Sequence, residues 1–237
     1  MKILFAGPSL PDAAAVCGSA IVVRPPAAQG DVLAAVRAGA DAIGIVDGNF
    51  EHVAPVWHKE ILYALDQGVA VLGAASMGAL RAAECAAFGM VGIGRIYEDY
   101  ACGRRVDDAD VALLHGPAEL GYPALSLPLV NAEATFDRLE AEEALDKHRI
   151  SMLRAAAARL FYKERTWLAI IKQAEAASDR KALLQLLLAA TVDQKRADAL
   201  ALVHALKDFD AKPPEKQGNW TFRATSLWRI LADQPET

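Results

Sequence analysis

Cysteine is scarce. Cys17, Cys85 and Cys102 are the only three in 237 residues, an odd number with no C-x-x-C pair. That argues against both a disulfide framework and a cysteine-rich zinc site, and makes reduced thiols the expectation. Long apolar runs are also missing. No stretch reaches the roughly 18 to 20 uninterrupted residues of a membrane-spanning helix, and the opening MKILFAG breaks at Gly7-Pro8 before a secretory signal core forms. The expectation is a soluble cytoplasmic protein with no membrane partner. Aromatic residues make up 7% of the chain, and no stripe of them accompanies the basic residues. With the bases interspersed among Asp and Glu and no recognition signature present, no nucleic-acid partner is expected.

What the chain has is apolar substance: 54% of residues are hydrophobic and 23% charged, enough for one large or two small cored domains. The net charge of −5 conceals an asymmetry. Residues 1 to 145 carry 9 Lys and Arg against 19 Asp and Glu, net −10, whereas residues 146 to 237 carry 16 against 11, net +5. A basic part attracts acidic partners over about a Debye length of ~8 Å.

Short apolar runs alternate with helical patterns in the first part, which predicts an α/β fold with a mostly parallel, Rossmann-like sheet. Strands are expected at Lys2 to Ala6, Ala20 to Val23, Ala42 to Val46 and Val69 to Gly73, and further ones at Val111 to Leu114 and Leu125 to Val130. Helices are expected from Asp31 to Gly39, Pro55 to Asp66 and Met77 to Phe88. From Ala132 the periodicity becomes almost wholly helical, in segments near 134–161, 164–177, 180–190 and 193–209, then a Lys212-Pro213-Pro214 turn and a short helix near 225–231. The expected domains are therefore an α/β core over residues 1–131 and a helical subdomain over 132–237.

In open parallel sheets ligands gather beyond the carboxyl ends of the strands. Two such places draw attention: Asp47-Gly48-Asn49-Phe50 and Ala74-Ala75-Ser76-Met77-Gly78. The second resembles a nucleophile elbow with Ala74 where the first glycine belongs. On that reading the N–H groups of Met77 and Gly78 supply oxyanion donors beside Ser76; on the plainer reading Ser76 is a helix N-cap. His58 is the candidate base and Asp47 the residue to orient it, although a lone histidine on a helical face with Leu62 and Leu65 is also an ordinary structural residue. Lys59 is either solvated or aimed at a carboxylate or phosphate. Arg81 and Glu84 share a helix face with Met77 and Phe88, as a structural ion pair or as substrate ligands. Gly89, Gly92 and Gly94 have a phosphate-loop composition in the wrong order and context, and read as a loop. Asp107, Asp108 and Asp110 with His115 read as acidic turns, so no metal is assigned.

The blocks IGIVDGNF, VWHKEILYAL, GVAVLGAASMGALRAAE and FGMVGIGRIY, between Ala42 and Gly94, resemble the core of the TfuA-like family. The resemblance extends through the preceding strand and through DDADVALLH, covering roughly residues 1 to 130. It departs at Asn131-Ala132-Glu133, where the family pattern carries an arginine soon after the asparagine. The resemblance implies a part in peptide-backbone thioamidation beside a YcaO-type ATP-dependent enzyme, with sulfur taken from a thiocarboxylated, ubiquitin-like carrier protein, and no cofactor of the chain's own. Combined with the residues, it suggests thiocarboxylate hydrolysis: Asp47 orients His58, His58 activates Ser76 or a water, Met77 and Gly78 hold the oxyanion, and Lys59 or Arg81, with Glu84 nearby, positions the carrier's end. The competing expectation is non-catalytic recruitment and activation of YcaO, and a stand-alone ester hydrolase is a more distant third.

Overall fold

Apolar residues on both alternations of the short N-terminal strands require that both faces of their sheet be covered. The computed structural model, which describes residues 1–49, 53–174, 179–209 and 220–233, shows how. The elements run β1 (Lys2–Phe5), α1 (Ala13–Cys17), β2 (Val22–Arg24), α2 (Asp31–Arg37), β3 (Ala42–Ile45), α3 (His58–Asp66), β4 (Ala70–Ala74), α4 (Met77–Cys85), β5 (Val91–Ile93) and α5 (Arg95–Ala101). After them come α6 (Leu129–Ala141), α7 (Lys147–Arg159), α8 (Trp167–Gln173), α9 (Arg180–Ala190), α10 (Gln194–Asp208) and α11 (Ser226–Ala232). The five strands form one parallel sheet in the order β2-β1-β3-β4-β5. The architecture is therefore α/β with a Rossmann-like parallel sheet and a helical C-terminal part.

Alternation along each strand divides the core in two. Ile3, Phe5, Ile43, Ile45 and Val71 face one way, onto Val32 of α2, Ile61 of α3 and Ala82 of α4. Leu4, Ala42, Ala70 and Leu72 face the other way, onto Ala13 and Cys17 of α1 and Ala199, Leu202, Val203 and Leu206 of α10. Gly44 is the reason α10 can lie so close, since a Cβ there would fall 2.7 Å from Leu202 Cδ2.

The chain divides into two compact units, Met1–Val106 together with the segment from Arg196 onward, and Asp107–Lys195. This grouping differs from the division at residues 131 and 132 expected from the change to helical periodicity. The physical reason lies in α10, whose apolar stripe is spent on the sheet. Within the second unit, Phe136 and Leu139 of α6, Leu153 of α7, Trp167 and Ile170 of α8 and Leu183 and Leu187 of α9 form one core. Asp146, Thr166 and Asp179 cap α7, α8 and α9 by accepting from Arg149 N, Ala169 N and Ala182 N. The apolar spacing Leu183, Leu186, Leu187, Ala190 predicts one buried stripe on α9; Leu183, Leu187 and Ala190 are buried and Leu186 is partly buried against the same core.

Several expectations are corrected. Val111 to Leu114 and Leu125 to Val130 are not strands. An isolated bridge joins His115 to Ala124, Leu125 N donates to Leu114 O at 2.8 Å, and Leu129 and Val130 open helix α6 with Pro128 as its N-cap. Pro123 and Pro128 remove ladder donors there, and their fixed φ suits a turn and a helix start. The glycine segment after α4 is not only a loop, because Val91–Ile93 pairs with β4 as the edge strand. Helix α3 starts at His58 rather than Pro55, which forms an isolated bridge with Ala28. The single segment expected near 134–161 is two helices, α6 and α7. Phe50 and the Lys212-Pro213-Pro214 turn lie outside the described residues. Among those described, no helix is long and apolar enough to cross a membrane.

Candidate functional site

The strand order reverses between β1 and β3, so the crevice of this sheet lies beyond their carboxyl ends. Asp47 stands there, 2% exposed. Its Oδ2 accepts from Gly7 N at 2.9 Å and Ser9 N at 3.0 Å, and its Oδ1 accepts from Ser9 Oγ at 2.6 Å. These bonds latch the loop after β1 to the end of β3. Ser9, itself 3% exposed, is a residue the sequence reading passed over. Its signal was its place directly after a parallel strand.

Ser76 follows β4. Ala75 has φ +66°, and Ser76 N donates back to Ala74 O at 2.8 Å, which makes a γ-turn of the left-handed, strained kind. The Ser76 hydroxyl caps no backbone amide of α4, so it is not the ordinary side-chain cap. Of the two expected oxyanion donors, Gly78 N–H is already engaged, donating to Val46 O at 3.2 Å. Gly78 is present for packing instead: a Cβ would sit 1.7 Å from Ile45 O. Met77 N–H, the first of the helix, makes no backbone hydrogen bond among the described residues. The Met77 side chain packs against Gly48, where a Cβ would come 2.6 Å from Met77 Cγ.

His58, Arg81 and Glu84 are brought together. His58 Nε2 lies 2.6 Å from Glu84 Oε2, Arg81 Nη1 donates to the same oxygen at 2.7 Å, and Arg81 Nε donates to Val56 O at 3.1 Å. The His58 and Glu84 side chains are 43% and 46% exposed, whereas Arg81 is 12% exposed. Burial alone would push the Glu84 carboxyl up, but the Arg81 and His58 contacts more than offset it and hold it below its ordinary value. The expected orientation of His58 by Asp47 is thus corrected, because Asp47 spends both oxygens on Ser9 and the β1 loop. Among the described residues no hydrogen bond joins His58 to Ser76. Among the described residues Lys59 meets an aromatic ring, its Nζ lying 5.0 Å from the centroid of Phe222. Phe222 in turn meets Tyr63 and Trp228 edge to face.

Glu60 completes the H-K-E block and is fully buried. Its Oε2 accepts from Gly30 N at 2.9 Å and Leu33 N at 3.3 Å, and its Oε1 from Trp57 N at 3.2 Å. Burial raises its carboxyl, the three N–H bonds draw it partly back, and Asp31 adds to the rise. The sequence reading missed its role because the helix starts with Trp57 rather than a Ser or Thr, hiding the usual capping signature.

Other candidate features resolve structurally. The N-terminus of α5 holds Asp198, whose Oδ2 accepts from Ile96 N at 2.8 Å, and a Cβ at Gly94 would fall 2.4 Å from the Asp198 Cγ. An internal carboxylate therefore takes the place a phosphate would have. Asp107 accepts from Ala109 N at 2.9 Å in a local turn, and among the described residues no group of three or more His, Cys, Asp or Glu is placed to hold a metal ion. Asn131, where the family pattern breaks, donates from Nδ2 to Asp193 Oδ1 at 3.0 Å and accepts at Oδ1 from Lys195 N at 3.1 Å.

No curated protein matches the chain. A family model described as TfuA-like protein matches residues 47–166, from the Asp47 loop through the Ser76 turn and the His58, Arg81 and Glu84 cluster into the second unit. The chain belongs to the TfuA-like family, which is associated with YcaO-type thioamidation systems.

Proposed function

We propose that this chain is an accessory enzyme of peptide-backbone thioamidation, acting in the cytoplasm, that hydrolyses a thiocarboxylated, ubiquitin-like sulfur carrier and delivers sulfide to a YcaO-type enzyme. The observation that carries this reading is the 2.6 Å contact of His58 with Glu84 in a member of a family tied to such systems. In the hydrolysis, an oxygen from water or from Ser76 bonds to the acyl carbon. The carbon–sulfur bond then breaks, and the proton removed from the attacking oxygen passes from His58 to the departing sulfur, which leaves as hydrosulfide. If Ser76 attacks, water cleaves the resulting ester and restores the hydroxyl.

His58 takes the proton of the attacking oxygen, and Glu84 stabilises the imidazolium that forms. Met77 N–H meets the developing oxyanion. Arg81, held by Val56 O, and Lys59 orient the anionic end of the carrier. The experiment is sulfide release from a thiocarboxylated carrier by the isolated protein, without YcaO or ATP. Release that disappears in His58→Ala supports the reading; no release by the intact protein overturns it.

A second reading draws on Asp47, whose commitment to Ser9 leaves the expected acid, imidazole and hydroxyl relay unjoined. On this reading the α/β part over residues 1–131 recruits the carrier, the helical part over 132–237 docks on YcaO through its basic stretch from residue 146 onward, and activation comes from effective concentration. It predicts stimulation of YcaO by a protein that releases no sulfide alone.

A further inference from the structure

Glu60 is a buried carboxylate shared by the beginnings of two helices. Gly30 is the N-cap of α2 and Leu33 lies in its first turn, while Trp57 is the N-cap of α3; all three N–H groups converge on the one carboxylate. The loops entering the two helices are tied as well, by the Ala28–Pro55 bridge and by Gln29 N donating to Ala54 O at 2.9 Å. His58 is the first residue of α3, directly after Trp57 and two residues before Glu60. Its ring reaches across to Glu84, which stands on α4, at 2.6 Å. A hydrogen bond of that kind is lost with a displacement of about 1 Å.

We infer that Glu60 is a positioning residue: by fixing the start of α3 against the start of α2 it sets where His58 stands opposite Glu84. The inference deepens the hydrolytic reading, in which His58 is the base, and names what holds that base in place. A carboxylate serving only to fill the core has a different signature. Replacement by a side chain of equal size would then change stability alone and leave the His58 ring as it was.

The test uses Glu60→Gln, which keeps one acceptor oxygen but turns an NH2 group toward one of the helix starts, and Glu60→Asp, which keeps the charge but is one methylene shorter. Each full-length variant is checked for folding by circular dichroism. The readout is the nitrogen NMR signals of the His58 imidazole, with Glu84→Gln as the reference for a ring that has lost its carboxylate. The His58 signals of either folded Glu60 variant are expected to move toward those of Glu84→Gln, and sulfide release to fall about tenfold in kcat with KM little changed. Wild-type His58 signals in a folded Glu60→Gln or Glu60→Asp protein would overturn the inference. The NMR readout is independent of turnover, so absence of sulfide release in the wild type would remove the hydrolytic reading without touching the positioning role.

Discussion

Glu84 Oε2 is shared by His58 Nε2 at 2.6 Å and Arg81 Nη1 at 2.7 Å, so one carboxylate oxygen links the first turn of α3 to the outer face of α4. A histidine and an arginine twenty-three positions apart in sequence thereby share one carboxylate oxygen.

The first prediction is electrostatic. Glu84 ionises below its ordinary value in the fold, so its contribution to stability is present above that ordinary value of 4.5 and is lost as pH falls through the lowered folded value. Denaturant unfolding should show Glu84→Gln less stable than wild type at neutral pH, and equal to it in stronger acid. For so exposed a group the difference should stay under about 1 kcal/mol. Glu60 runs the other way. Its folded value is raised, so its contribution is present below 4.5 and is lost as pH rises through that value toward the raised one. Measured over the same pH series, Glu60→Gln should flatten that decline.

Ser76→Ala separates chemistry from folding. The hydroxyl caps no amide, so unfolding free energy should change by no more than about 0.5 kcal/mol. If Ser76 attacks the acyl carbon, sulfide release should fall about 100-fold or more. Undiminished release would leave water as the nucleophile.

Gly78→Ala should act on the fold. The added Cβ would lie 1.7 Å from a backbone oxygen of β3, which no rotamer change relieves. A loss on the order of 3 kcal/mol or more is expected, read as a lowered denaturant midpoint or as failure to accumulate.

The cysteines should differ in reactivity. Burial pushes the Cys85 thiol up to about 12, with Glu84 adding to the rise and Arg81 opposing it. Cys17 is also raised by burial, while Cys102 is exposed. Alkylation of the native protein followed by peptide mapping should modify Cys102, with Cys17 and Cys85 reacting only after denaturation.

The sequence by itself determined the parallel sheet, because Ile3, Phe5, Ile43 and Ile45 alternate with other apolar residues and can be satisfied only by two covered faces. It also determined the turn carrying Ser76, the helix carrying His58 and the family blocks that connect them, since these are local patterns of strand, turn and helix start. It did not reveal β5, whose three residues include Gly92, because so short an edge strand depends on β4 beside it rather than on its own propensity.

Tertiary structure alone decided which acid serves which partner. Asp47 and Glu84 were both on offer to His58, and sequence distance favours Asp47. The sheet instead directs Asp47 into the β1 loop, where three donors converge on it, and the packing of α3 beside α4 gives Glu84 to the imidazole. The same holds for Gly78, whose amide serves Val46 O, and for Glu60, two of whose partners, Gly30 and Leu33, lie some thirty residues away. Hydrogen bonds act over about 3 Å, and which groups come within that reach is set by the packing of whole elements, information that no local spacing carries.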